Sequence, residues 1–231
     1  MPTPAATQIF VAVDTTDLAT AAAQIAATDG VIPGIKLGLE FFMAHGPDGV
    51  RAVRSGNRPL FLDLKLHDIP NTVARAVESA NRLGVAMFTI HLSGGSEMIR
   101  AATSARTGNM LLLGVTVLTS STEETLREIG IPAKVDDQVL RLAKVGVEAG
   151  IDGVVASSHE IIPLRREFGN KIKIVVPGIR PTWSEPGDQK RTMTPREALE
   201  AGADYLVIGR PITAHPNPSE AVAKILDEMG G

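Results

Sequence analysis

Ten residues carry most of the chemistry this chain advertises: Asp63 to Thr72, DLKLHDIPNT, preceded by the apolar lead-in PLFL from Pro59 to Leu62. Lead-in and opening read as one strand, and side chains alternate across a strand. Asp63, Lys65 and His67 are therefore expected on one face, with Leu62, Leu64 and Leu66 on the other. Two unlike charges placed two residues apart in an apolar strand carry a large desolvation cost, which marks them as functional. A lysine held between carboxylates is kept as the ammonium. It is then a poor Schiff-base nucleophile and a good proton donor to a nascent carbanion. A fixed carboxylate beside a substrate anion raises the energy of that anion by roughly 4 kcal/mol at ~4 Å and an effective dielectric near 20. Loss of CO₂ relieves that repulsion while the lysine stabilises the charge left on carbon. Asp63 and Lys65 thus suggest decarboxylation or another carbanion reaction.

The elements that must position these groups recur along the chain. Apolar runs fall at Ile9 to Asp14, Ile32 to Gly38, Pro59 to His67 and Met87 to Leu92, then at Leu111 to Val117, Gly153 to Ser158, Ile172 to Gly178 and Tyr205 to Pro211. They are continuous rather than alternating, as in parallel strands covered on both faces. Helical signals lie between them. Asn71 to Gly84 carries a 3.6-residue apolar period, Asp136 to Gly150 opens with acids and closes with glycine, and Thr194 to Gly202 has a capping Thr with Glu197 three residues on. Pro218 to Gly230 closes the chain. Eight strand–helix repeats predict a (β/α)₈ TIM barrel, with residues 1–231 as a single catalytic domain. The alternative, an open doubly wound sheet, usually shows a glycine cluster after its first strand, whereas Asp14 is followed by TTDLATA.

In a barrel, function collects at the C-terminal strand ends. Asp14 ends the first strand, Lys36 sits late in the second, and His91 lies near the end of the fourth. Thr119 follows the fifth, Arg180 the seventh and Arg210 the eighth. VPGIR and VIGRP place Gly178 with Arg180, and Gly209 with Arg210, where barrels frequently bind phosphate. Gly178 to Met193 makes a loop far longer than most, in the manner of a lid, and it holds the only Trp, Trp183, expected to pack that loop. His67 and His91 have no ligand spacing for a metal and read as hydrogen-bonded structural groups.

The 231 residues are 44% hydrophobic and 21% charged with net charge −3, which gives no basic footprint for nucleic acid or an anionic membrane. Cysteine is absent, excluding disulfides and thiolate metal sites. The N-terminus shows no signal-peptide pattern and no run approaches a membrane span, so a cytoplasmic location is expected.

Taken together, DLKLHDIPNT, VTVLTS (Val115 to Ser120), PGIR with GDQKR (Gly187 to Arg191), and VIGRPI resemble the bacterial-type orotidine 5′-phosphate decarboxylases, over essentially the whole chain. A bare D-x-K-x-x-D is shared with barrel enzymes acting on sugar phosphates; HDIPNT points to the pyrimidine enzyme. The resemblance implies cofactor-free and metal-free decarboxylation of orotidine 5′-monophosphate to uridine 5′-monophosphate, the last step of UMP synthesis. It implies that Lys65 protonates C6, that Asp63 faces the substrate carboxylate, and that Lys36 and Asp68 complete the charge array. Asp14 and Lys36 match ribose-binding positions, and Thr119 the residue at the pyrimidine edge. Arg180, Gln189, Gly209 and Arg210 match the phosphate end, with Gln189 able to bridge to the base. Asp68, Ile69 and Thr72 match residues that reach the neighbouring subunit, implying a homodimer with shared active sites. A Mg²⁺-dependent sugar-phosphate enzyme and a catalytically silent nucleotide-binding protein remain the alternatives.

Overall fold

The computed structural model describes residues 8–54, 56–184 and 192–230. Its strands are β1 (Ile9–Val13), β2 (Gly34–Gly38), β3 (Leu60–Leu66), β4 (Met87–His91), β5 (Leu111–Val115), β6 (Gly153–Val155), β7 (Lys173–Val176) and β8 (Tyr205–Ile208). All pair in parallel with their sequence neighbours, and β1 closes the circle on β8 through Ile9 and Leu206. The helices are α1 (Leu18–Ala27), α2 (Leu39–Val53), α3 (Pro70–Arg82), α4 (Gly95–Ala105), α5 (Glu123–Glu128), α6 (Val135–Glu148), α7 (Ile161–Phe168), α8 (Pro195–Glu200), α9 (Arg210–Thr213) and α10 (Pro218–Gly230). The (β/α)₈ barrel expected from the repeats is the fold.

Alternation along the strands sorts the apolar residues into two layers. Ile9, Val11 and Val13, Leu60 and Leu62, and Phe88 and Ile90 join the core between sheet and helices. Phe10, Ala12, Phe61, Met87, Leu113, Val175 and Val207 fill the barrel interior. There Phe10 meets Phe61 and Tyr205 edge-on, with ring centres 6.0 and 5.8 Å away. Gly34 makes room for that aromatic cluster: a Cβ there would lie 2.7 Å from the Phe10 ring and 2.6 Å from the Ile9 carbonyl oxygen.

The longer helices present an apolar stripe to the outer layer. In α3 the buried residues are Val73, Val77 and Ala80, one face at helical spacing. At α8, Thr194 Oγ1 accepts from the Glu197 N–H and the Glu197 carboxylate accepts from the Thr194 N–H, the reciprocal cap its sequence predicts.

The N-terminal rim is tied by two carboxylates placed just before strands. Asp152 accepts from the Leu112 N–H and from Arg106; Asp204 accepts from the Ile174 N–H, Lys173 and Arg165. Burial pushes the Asp204 carboxyl up, but these donors outweigh it and hold it below the usual carboxylate range.

Several ends differ from the sequence expectation. β3 stops at Leu66, leaving His67 exposed beyond it, and β6 gives way to a 3₁₀ turn at Ser158–Glu160. Arg210 does not prolong β8 but opens the short helix α9, with Pro211 in its first turn, where the missing proline N–H costs no hydrogen bond.

Candidate active site

The inward rows of β1 to β4 all change character toward their C-terminal ends. Phe10 and Ala12 lead to Asp14, Phe61 leads to Asp63 and Lys65, and Met87 leads to Thr89 and His91. Lys36 stands between Gly34 and Gly38 on β2. One strand period thus puts an apolar plug at the bottom of the barrel and a polar layer at its top.

In that layer four charges alternate. Lys36 Nζ donates to Asp14 Oδ1 at 3.1 Å and lies 3.9 Å from Asp63 Oδ2, while Lys65 Nζ donates to Asp63 Oδ2 at 2.6 Å. The inner pair is nearly buried: the Lys36 and Asp63 side chains are each 11% exposed, against 49% for Asp14 and 35% for Lys65. Attraction of roughly 4 kcal/mol per contact at an effective dielectric near 20 offsets the desolvation of the inner two. Gly38 keeps space for it, since a Cβ there would sit 2.9 Å from Asp14 Oδ1 and 3.2 Å from Lys36 Nζ.

Sequence reasoning missed Thr89. This fully buried side chain donates its hydroxyl to Asp63 Oδ1 at 2.9 Å and accepts the Lys65 N–H at 2.9 Å. A polar residue two positions before His91 in MFTIHL, and so on the same inward parity, is the signal that could have found it. Lys65 itself has φ of +51°, the only non-glycine residue at positive φ among the described residues. His91, half-buried, has its ring centre 5.8 Å from that of His67. Burial, then the charges of His67 and Lys65, hold its imidazole below the ordinary value, which leaves it neutral at pH 7.

A cavity of about 270 Å³ opens beside the array, lined by Asp14, Lys36, Gly178, Arg180, Gly209 and Arg210 among others. Arg180 and Arg210 also wall a neighbouring cavity of about 580 Å³ that includes Trp183 and His215. The smaller one is the candidate site, because Lys36 joins it to the Asp63–Lys65 pair. Trp183 packs edge-on against His215 at 5.9 Å, with Lys224 Nζ 5.7 Å from its ring centre. Thr119 is half-buried just after β5. Asp68, Ile69 and Thr72 do not join the array: they stand exposed at the start of α3, and Asp68 Oδ1 accepts the Ile69 N–H. Gln189 lies outside the described residues. Among the described residues, no three His, Asp or Glu side chains group as metal ligands, and no helix is long and apolar enough to cross a membrane.

Arginines and glycine turns beside the cavity suit a phosphate, and an ammonium against a carboxylate suits protonation of carbon next to a leaving anion. Known proteins of similar sequence are named for decarboxylation of a substrate that carries a phosphate. The orotidine 5′-phosphate decarboxylase / HUMPS family matches residues 7–225. The orotidine 5′-phosphate decarboxylase of Paramagnetospirillum magneticum is 50% identical over 230 residues, covering 96% of this chain and 98% of the relative. That of Wolbachia pipientis is 49% identical over 222 residues, with 96% and 98% covered. The crystal structure of orotidine 5′-phosphate decarboxylase from Lactobacillus acidophilus superposes with a TM-score of 0.83 at 33% identity, covering 97% of this chain and all of that one. With near-complete coverage of both chains and the same barrel, this chain belongs to the orotidine 5′-phosphate decarboxylase / HUMPS family.

Proposed function

We propose that this chain, residues 1–231 acting as one catalytic domain, decarboxylates orotidine 5′-monophosphate to uridine 5′-monophosphate and CO₂, completing UMP synthesis in the cytoplasm without a cofactor. The observation that carries the reading is the Asp63–Lys65 contact of 2.6 Å, joined through Lys36 to a cavity bearing Arg180 and Arg210. The two arginines and the Gly209 backbone, with Gln189, take the phosphate. Asp14 and Lys36 take the ribose, and Thr119 meets the pyrimidine edge. Phosphate binding then holds the ring with its carboxylate against Asp63. The bond from C6 to the carboxylate breaks, its electron pair stays on C6, and CO₂ leaves. Lys65 Nζ passes a proton to C6, and the neutral amine regains one from water. Repulsion from Asp63 is relieved as the carboxylate departs, whereas attraction to Lys65 grows as charge develops on C6.

The test is the ultraviolet absorbance of orotidine 5′-monophosphate mixed with the purified protein, with and without EDTA. Loss of the orotate band at the same rate in both is expected. An unchanged band overturns the reading; loss abolished by EDTA points to metal-assisted chemistry of the sugar-phosphate kind on the same barrel.

The same reading makes the active unit a homodimer in which Asp68, Ile69 and Thr72 complete the partner's site. Exposed apolar side chains support it: Leu39 and Met43 one turn apart on α2, and Ile69 at the start of α3, are 56%, 75% and 67% exposed. A mixture of Lys65→Ala and Asp68→Asn chains should recover activity, because one site of each heterodimer draws both intact residues. Statistical exchange gives about a quarter of wild-type turnover. No recovery after subunit exchange, verified by native mass spectrometry, would remove the shared site.

A further inference from the structure

We infer that Thr89 is a positioning residue of this site, one hydroxyl setting both the rotation of the Asp63 carboxylate and the left-handed backbone of Lys65. The inference rests on the decarboxylase reading above.

β3 and β4 fall out of step where the charges stand. Leu62 pairs with Phe88 and Leu66 with Ile90, so Asp63, Leu64 and Lys65 together face the single residue Thr89. A ladder leaves no partners for such extra residues, and a bulge strands their backbone groups. The chain absorbs the surplus at Lys65, which turns to φ +51°. A lysine has no local reason to adopt this conformation, so its surroundings must impose it. The Thr89 hydroxyl does so by accepting the Lys65 N–H at 2.9 Å.

The same oxygen carries one hydrogen, which goes to Asp63 Oδ1 at 2.9 Å. With Oδ1 so held, Oδ2 is the oxygen turned toward both ammonium groups, at 2.6 Å from Lys65 Nζ and 3.9 Å from Lys36 Nζ. Thr89 is fully buried and β-branched, so its own rotamer is stiff and water does not compete for its hydroxyl. The result is a three-point brace: strand β4 fixes the carboxylate, the carboxylate fixes the ammonium, and the strained amide fixes the Cα from which the ammonium extends. A catalytic group held this way is sensitive to displacements of an ångström or less.

Thr89→Val nearly preserves shape and replaces the hydroxyl by a methyl. The expected result is a fall in kcat of about 30-fold or more with affinity for uridine 5′-monophosphate, measured by calorimetry, within about threefold of wild type. Thr89→Ser, which restores the hydroxyl, should return kcat to within about fivefold of wild type. The crystal structure of Thr89→Val should show Lys65 leaving the left-handed region or its ammonium drawn away from Asp63. A kcat for Thr89→Val within about threefold of wild type, or kcat and nucleotide affinity falling together, overturns the proposal. Should Thr89→Val fail to fold, Thr89→Ala against Thr89→Ser decides, and equal kcat for the two overturns it. Wild-type protein that binds uridine 5′-monophosphate but leaves orotidine 5′-monophosphate unchanged overturns the decarboxylase reading instead. In that event the Lys65 backbone of Thr89→Val still decides, since its retention with Asp63 unmoved removes the positioning role.

Discussion

Lys65→Ala is expected to lower kcat by about 10⁴-fold or more while the barrel stays folded, because it removes the ammonium in direct contact with Asp63, one of the two cations that hold that carboxylate. Once Lys65 is gone, Asp63 retains Lys36 at 3.9 Å and the Thr89 hydroxyl, so the side chain stays held but the chemistry has no acid. The backbone offers a control. Alanine at φ +51° carries the same left-handed penalty as lysine, roughly 1–2 kcal/mol, whereas glycine does not. Lys65→Gly should therefore resist urea better than Lys65→Ala by about 1 kcal/mol, with both equally inactive. That pairing separates strain in the chain from chemistry at the amine. Turnover above about 1% of wild type in either variant, read from the orotate absorbance, would remove Lys65 as the proton donor.

The placement of Asp63 and Lys65 on one face was legible because a period of two is a property of any strand, and the alternating Leu62, Leu64 and Leu66 do pack outward on the helix layer. The barrel was legible for a similar reason, since strands buried on both sides need continuous apolar runs, and these are local features of the sequence. Lys36 and Asp14 could be assigned to the same layer only once the barrel was assumed, because they meet across strands through register. The slip between β3 and β4 could not be read. DLKL contains no glycine, and its left-handed turn is imposed by a hydroxyl 24 residues away in sequence. Thr89 was opaque on the same ground, as an isolated threonine in a strand ordinarily reports nothing beyond β-propensity. At the other end, GRP reads as the close of a strand until α9 is seen to begin at Arg210, since Gly–Arg–Pro carries no helical period over so short a span. His67 lies beyond the strand because β3 ends one residue earlier, at Leu66, although its ring stays 5.8 Å from that of His91.

Arg210→Ala tests the opposite end of the site, and its effect should depend on the substrate. Arg210 opens α9 directly after Gly209 and lines both cavities, whereas Arg180 is largely buried and donates to the Ile179 carbonyl as well as bordering the same space. Arg180 is thus partly committed to holding its own loop, and Arg210 is the more exposed of the two guanidinium groups. Losing a forked, charge-assisted contact to phosphate should lower kcat/KM for orotidine 5′-monophosphate by about 10²- to 10³-fold, chiefly through KM. The phosphate-free nucleoside orotidine makes no such contact, and its kcat/KM should change by less than about threefold. Arg210→Lys keeps the charge without the fork and should fall between, which distinguishes geometric recognition from simple attraction. If binding energy gathered at the phosphate presses the ring carboxylate toward Asp63, as proposed, the wild-type preference for nucleotide over nucleoside should shrink in step with the loss at Arg210. Equal effects of Arg210→Ala on nucleotide and nucleoside would remove the phosphate contact and, with it, the orientation in which the ring reaches Lys65.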